Sequence, residues 1–152
     1  MDDQKKWHGC VKKSTKSSAH SIWKLSADFI NVQKYAAHLI ACEHVEGEIN
    51  AVRCVRLCRG PELWAKEKLV AIDPLNYSYT YQVIDCNFGI EGYTATFNVH
   101  NPGDGDGEGN IEWRFEVDAN KSCAEEELVM LISSKLEQMI HGLDEIATIH
   151  EP

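Results

Sequence analysis

Between Arg53 and Val83 the chain alternates apolar and polar residues at a period of two, and this constrains its fold more than any other feature. The stretch reads RCVRLCRGPELWAKEKLVAIDPLNYSYTYQV. Two turn signals, Arg59-Gly60-Pro61 and Asp73-Pro74-Leu75-Asn76, divide it into three short strands. Successive side chains in a strand point to opposite faces, so parity sorts them. Val52, Cys54, Arg56 and Cys58 share one face of the first strand. Leu63, Ala65, Glu67, Leu69 and Ala71 share a face of the second, opposite Lys66 and Lys68. In the third, Tyr77, Tyr79, Tyr81 and Val83 lie opposite Ser78, Thr80 and Gln82. A base, an acid and phenols therefore occupy otherwise apolar positions. An unpaired buried charge is costly, so these groups are expected to face one another or a wet cavity.

The balance of 24 acidic against 15 basic residues gives a formal net charge of -9. Nucleic acid and anionic membranes require concentrated positive charge, so neither is an expected partner. Met1 is followed by DDQKK rather than an apolar run, and no stretch approaches a membrane span of ~20 apolar residues. A cytoplasmic location and a monomer are the expectations, with the 152 residues forming a single domain. The six cysteines form no Cys-x-x-Cys pair and read as reduced, small hydrophobic residues. The histidines are dispersed, and no metal site is expected.

In chain order, Lys6 to Lys13 reads as a first strand. A serine-rich segment follows, in which Ser17 or Ser18 caps a helix. Ile22, Leu25, Phe29 and Ile30 fall near helical spacing, and Asp28 to Asn31 can break that run into two short helices. Leu39 to Glu46 reads as the next strand, closed by a turn at Glu46-Gly47-Glu48. Beyond the central three strands, Glu91 to Val99 and Ile111 to Val117 alternate cleanly. The segment NPGDGDGEGN, 101–110, reads as an acidic loop; its carboxylates lack the ordered spacing of a calcium loop. Ser122 to Glu125 reads as a capping box opening a helix of about 25 residues, nearly 40 Å long. Leu128, Leu131, Ile132, Leu136, Met139, Ile140, Leu143 and Ile146 give it an apolar face.

Strands apolar on one face imply an antiparallel sheet with one face buried, and the terminal helix is the cover at hand. The expected class is α+β: a curved antiparallel sheet of about seven strands around a long C-terminal helix, with two short helices after the first strand. One helix cannot fill a strongly curved sheet everywhere. What remains is an internal cavity, with apolar walls and inward polar groups Arg56, Glu67, Tyr81 and Tyr93, reached beside Gly60-Pro61. Such a site takes a small apolar molecule.

This order of elements resembles the helix-grip fold of the START-like and Bet v 1-like superfamily. Within it, Lys6-Trp7, DFIN (28–31), VEGE (45–48), CVR (54–56), WAKEKLVAID (64–73), SYTY (78–81) and GYTAT (92–96) are similar to the plant lachrymatory-factor synthases. The resemblance covers most of residues 6–97. It implies that Arg56 and Glu67 are the catalytic pair, that Tyr81 and Tyr93 belong to the pocket, and that no cofactor is used. Those synthases isomerise an alkenyl sulfenic acid to a thial S-oxide. The turn between Arg56 and Trp64 is several residues shorter here, and the gate and latch motifs of the related plant hormone receptors are absent. Trp64, Leu69, Phe97, Trp113, Leu136 and Ile140 are the further expected ligand contacts.

Spacing alone favours a structural ion pair for Arg56 and a solvent-facing Glu67, and the tyrosines fit a sheet core. The two motifs matching one family reverse the reading of the pair. Two functions of different class follow: a cofactor-free isomerase, or a non-catalytic carrier or sensor in which the same pair anchors a ligand.

Overall fold

The computed structural model describes residues 5–101 and 108–150. In chain order the elements are β1 (Lys6–Ser18), α1 (Ala19–Ser26), a 3-10 helix (Phe29–Lys34), β2 (Ala41–Glu46), β3 (Val55–Arg59), β4 (Trp64–Asp73), β5 (Ser78–Cys86), β6 (Thr94–His100), β7 (Glu108–Asp118) and α2 (Glu125–His150). The strands form one antiparallel sheet in the order β1-β7-β6-β5-β4-β3-β2. Strands β2 to β7 are thus a meander, and β1 closes onto β7 with Val11 opposite Trp113. Register irregularities in β1, in the β2–β3 pair and twice in the β4–β5 pair bend the strands, as bulges do. The result is a curved sheet gripping a helix.

One face of each central strand is buried. Along β7, Ile111, Trp113, Phe115 and Val117 point inward, and along β6 Ala95, Phe97 and Val99 do. Phe97 meets Trp113 edge-on with ring centroids 4.9 Å apart. The apolar face of α2 supplies Leu128, Leu136, Met139, Ile140, Leu143 and Ala147. Its C-terminal half is fastened to the end of β1: the Asp144 carboxylate accepts hydrogen bonds from the Ser17 amide at 2.9 Å and the Ser17 hydroxyl at 2.7 Å. The Lys16 amide adds another at 2.9 Å. Partial burial works against this carboxylate, but the hydrogen bonds outweigh it and hold its pKa below the ordinary aspartate value. Farther along the contact, Gly142 lets the helix backbone meet Tyr35; a Cβ there would sit 2.1 Å from the Tyr35 carbonyl oxygen.

Several local expectations are corrected. The first strand runs on to Ser18, which also caps α1 by accepting from the Ser21 amide at 3.1 Å. The second begins at Ala41, not Leu39, and the fourth at Trp64. Val52 and Leu63 lie outside the strands and are about half exposed. Ala71 turns outward because the register slips between Leu69 and Ala71, so Ile72 takes the position opposite Tyr79. Glu108 to Asn110 belong to β7 rather than to a loop; residues 102–107 of that segment lie outside the described residues. At the start of α2 the expected capping box is not formed: Glu127 Oε1 accepts from the Ala124 amide at 3.1 Å, but Ala124 has no side-chain oxygen to return the bond, and the Ser122 amide donates to Asn120 Oδ1. The second of the two short helices is of 3-10 type, kinked at Asn31.

Candidate functional site

The sheet and the N-terminal half of α2 form the walls of an open-mouthed cavity of about 510 Å³. Strands β3 to β5 contribute Arg56, Cys58, Trp64, Ala65, Glu67, Tyr81 and Val83, and Tyr93 precedes β6. The helix contributes Leu128, Leu131, Ile132, Lys135, Leu136 and Met139. The mouth lies between the β3–β4 turn, with Gly60 to Leu63, and Phe88 and Ile90 of the β5–β6 loop. Asn87 ties those two segments together, accepting from the Trp64 amide at 2.8 Å and donating to the Glu62 carbonyl at 2.9 Å. Leu131 at 56% and Leu63 at 47% exposure form an apolar lip.

Arg56 and Glu67 are direct cross-strand partners on β3 and β4. Arg56 is 1% exposed, and each of its three side-chain nitrogens has an acceptor. Nε donates to Glu67 Oε1 at 2.8 Å, Nη2 reaches the same oxygen at 2.7 Å, and Nη1 donates to the Phe29 carbonyl at 2.6 Å. The guanidinium carbon also sits 3.8 Å from the centre of the Phe29 ring, a cation–π contact. Burial disfavours the charge, but Glu67, with Cys58, Tyr79 and Tyr35 adding to it, outweighs that cost and the Arg56 pKa is raised.

The DFIN turn builds this seat. Asp28 accepts from Asn31 Nδ2 at 2.8 Å and from Asn50 Nδ2 at 3.1 Å, and Asn50 Oδ1 accepts from the Ile30 amide. Those bonds fix the chain on both sides of Phe29, so its carbonyl and ring face the guanidinium together.

The side chain of Glu67 is 16% exposed and lines the cavity, so β4 keeps its inward parity despite the register slip beside it. Both of its bonds to Arg56 go to Oε1. Cys58 Sγ lies 3.8 Å from that same oxygen. Among the described residues Oε2 accepts no hydrogen bond, which leaves one carboxylate oxygen for a ligand.

Tyr81 and Tyr93 bring their hydroxyls to 3.3 Å of each other. Two hydroxyls sharing one hydrogen bond leave one proton to donate elsewhere. Burial, above all, raises both phenol pKa values, so they stay neutral donors. The sequence reasoning missed His38 and Lys135, which also line the cavity. His38 Nδ1 is buried without a partner among the described residues. Burial, then the Lys135 ammonium, lower the imidazole pKa and favour the neutral ring. Neither residue sits in an apolar-periodic position, so no pattern marked them.

Of the expected ligand contacts, Trp64, Tyr81, Tyr93 and Leu136 line the cavity, while Leu69, Phe97, Trp113 and Ile140 are packed in the core away from it. For Phe97, Trp113 and Ile140 the reason is α1, which packs on β6, β7 and α2 and fills that end of the curved sheet. Leu131 and Leu136 border the remaining space without filling it.

Among the described residues no group of three or more His, Cys, Asp or Glu is arranged to hold a metal ion. No described helix is long and apolar enough to cross a membrane.

Two solved structures share this architecture. The protein XoxI from Bacillus cereus matches with a TM-score of 0.81 at 18% identity, over 93% of this chain and 96% of that chain. An uncharacterised protein from Bacillus thuringiensis matches with a TM-score of 0.79 at 19% identity, over 93% of this chain and 98% of that one. At such identities the likeness is one of fold. The family model described as polyketide cyclase / dehydrase and lipid transport matches residues 8–147. With a helix-grip fold and an apolar cavity suited to a hydrophobic ligand, the chain belongs to the polyketide cyclase / dehydrase and lipid transport family.

Proposed function

We propose that this protein binds a small apolar molecule in the cavity and isomerises it by cofactor-free proton transfer at Glu67, as lachrymatory-factor synthases do with an alkenyl sulfenic acid. The observation carrying this reading is the one-sided pairing of Glu67: Arg56 holds Oε1 with two nitrogens, and Oε2 is left at an apolar cavity. A carboxylate oxygen fixed beside a shielded ligand meets the geometric requirement for a general base.

In the sulfenic acid rearrangement, Oε2 takes the proton from the S–O–H oxygen. The far carbon of the C=C bond takes a proton back, and the electrons shift to leave C=S and S–O of the thial S-oxide. Atoms and charge balance with Glu67 restored. A neutral Tyr81 or Tyr93 hydroxyl donates to the oxygen while it carries negative charge. Arg56 acts here as a positioning residue, since it is buried and each of its nitrogens already makes one bond to the protein; it orients Glu67.

Cavity size favours a second reading. A short alkenyl sulfenic acid is much smaller than a cavity of about 510 Å³. A longer hydrophobic ligand fits that space better, and Glu67 then anchors its polar end in a carrier.

The two readings separate in one experiment. Native mass spectrometry of the purified protein looks for a retained ligand, and an alkenyl sulfenic acid is then generated in its presence while thial S-oxide is followed. Product that disappears with Glu67→Gln supports the isomerase. A retained long-chain lipid and no product favours the carrier.

A further inference from the structure

Cys42 and Cys58 are direct partners across β2 and β3, and their sulfurs are 3.6 Å apart. Among the described residues this is the one pair of cysteine sulfurs within 4 Å. Cross-strand neighbours have Cα atoms about 4.5 to 5.5 Å apart, inside the range of about 4.4 to 6.8 Å that a disulfide spans. Side-chain rotation therefore suffices to close the bond, without moving the strands. The two thiols differ in access. Cys42 is half-buried on β2, the edge strand of the sheet, whereas Cys58 is buried and forms part of the cavity wall beside Glu67.

We propose that Cys42 and Cys58 are a dithiol modification site, which a hydroperoxide converts to a cross-strand disulfide in the wall of the ligand cavity. The Cys42 thiolate attacks one peroxide oxygen and the O–O bond breaks. This gives Cys42–S–OH and, after proton uptake, water or an alcohol. The Cys58 sulfur then attacks the Cys42 sulfur, the S–OH bond breaks, and the departing hydroxide leaves as water with the Cys58 proton. Each sulfur gives up one electron and the peroxide accepts both. The order follows from access: Cys42, half-buried on an edge strand, meets the peroxide first, and the buried Cys58 is the resolving thiol. A thiol, as reductant, returns the pair by exchange. Oxidation also removes the Cys58 S–H, the donor that faces Glu67 Oε1 beside Arg56, so the site's central carboxylate is in contact with the change.

The test is peroxide titration of the reduced, folded protein, followed by alkylation of free thiols and peptide mass mapping. The expected product has lost two hydrogens, and its alkylatable thiols have fallen by two from six. A Cys42–Cys58 linked peptide that a thiol reductant dissolves is the expected map. Cys58→Ser should instead trap Cys42 as a sulfenic acid that dimedone labels, and Cys42→Ser should give neither link nor label at Cys58. The proposal is overturned if the exposed Cys10 is oxidised while both Cys42 and Cys58 remain alkylatable. It is also overturned if the link forms only after the wild-type protein is unfolded, a result that needs no variant.

Discussion

Arg56 directs Nε and Nη2 to a single oxygen of Glu67, at 2.8 and 2.7 Å, rather than bridging both oxygens of the carboxylate. A fork-to-fork pair would have closed both oxygens to a ligand. The third guanidinium nitrogen is held by the Phe29 carbonyl, so the arginine is locked by the fold while the glutamate keeps one oxygen clear of it.

Removing Arg56 leaves a partly buried carboxylate and the Phe29 carbonyl without their donor. Arg56→Leu is expected to cost about 3 kcal/mol of stability, the lower end for breaking a buried pair. Arg56→Leu combined with Glu67→Leu should recover part of that loss. Urea unfolding of the two variants measures this. A cost under about 0.5 kcal/mol for Arg56→Leu would place the pair with solvent-screened surface bridges.

The closeness of α2 to Tyr35 predicts the effect of filling Gly142. Alanine ordinarily gains about 1 kcal/mol over glycine inside a helix. Here its Cβ would lie 2.1 Å from a backbone oxygen, an overlap that forces the helix off its seat. Gly142→Ala should therefore be net destabilising, by about 1 to 3 kcal/mol. A thermal melt that shows stabilisation would contradict the packing.

Asp144 makes the fastening of α2 to β1 sensitive to acid. Its folded pKa is depressed, so its contribution is complete above the unfolded aspartate value of about 3.9. That contribution is lost as pH falls through the lower folded value. The stability difference between wild type and Asp144→Asn should be constant near neutrality and shrink below about pH 4. A difference that does not change with pH would remove Asp144 from this role.

The buried phenols act at the other end of the scale. Burial raises Tyr79 to about 12 and pushes up Tyr35, Tyr81 and Tyr93 as well. The unfolded chain releases these protons near pH 10 and the folded one does not, so stability should fall as pH rises above about 10. Phenolate absorbance should then appear for these tyrosines together with loss of near-ultraviolet circular dichroism. Smooth titration of all five tyrosines in a folded protein would contradict the burial.

The central sheet was legible in the sequence because a period of two is dictated by strand geometry. Parity alone put Arg56, Glu67 and Tyr81 on the inward face, and the structure keeps all three there. Parity fails where the register slips, as at Ala71, since a bulge leaves no composition signature. Nor does local pattern reveal where α1 ends and empty space begins. Phe97 and Trp113 are as inward as Tyr81, and it is the docking of α1 against β6 and β7 that makes them core. His38 and Lys135 reach the cavity from a loop and a helix flank, positions that periodicity does not weigh. The Phe29 carbonyl is a backbone group, invisible to any reading of side-chain types.

The most direct test of the account is the steady-state kinetics of Glu67→Gln on an alkenyl sulfenic acid generated in place. Glutamine keeps the shape and accepts the Arg56 hydrogen bonds through its carbonyl oxygen, so the seat persists while the base is gone. The account predicts that kcat falls by roughly 100-fold to 10,000-fold, the range for losing a general acid–base group, with KM essentially unchanged. Full turnover by Glu67→Gln would contradict it and make the Arg56–Glu67 pair a ligand anchor.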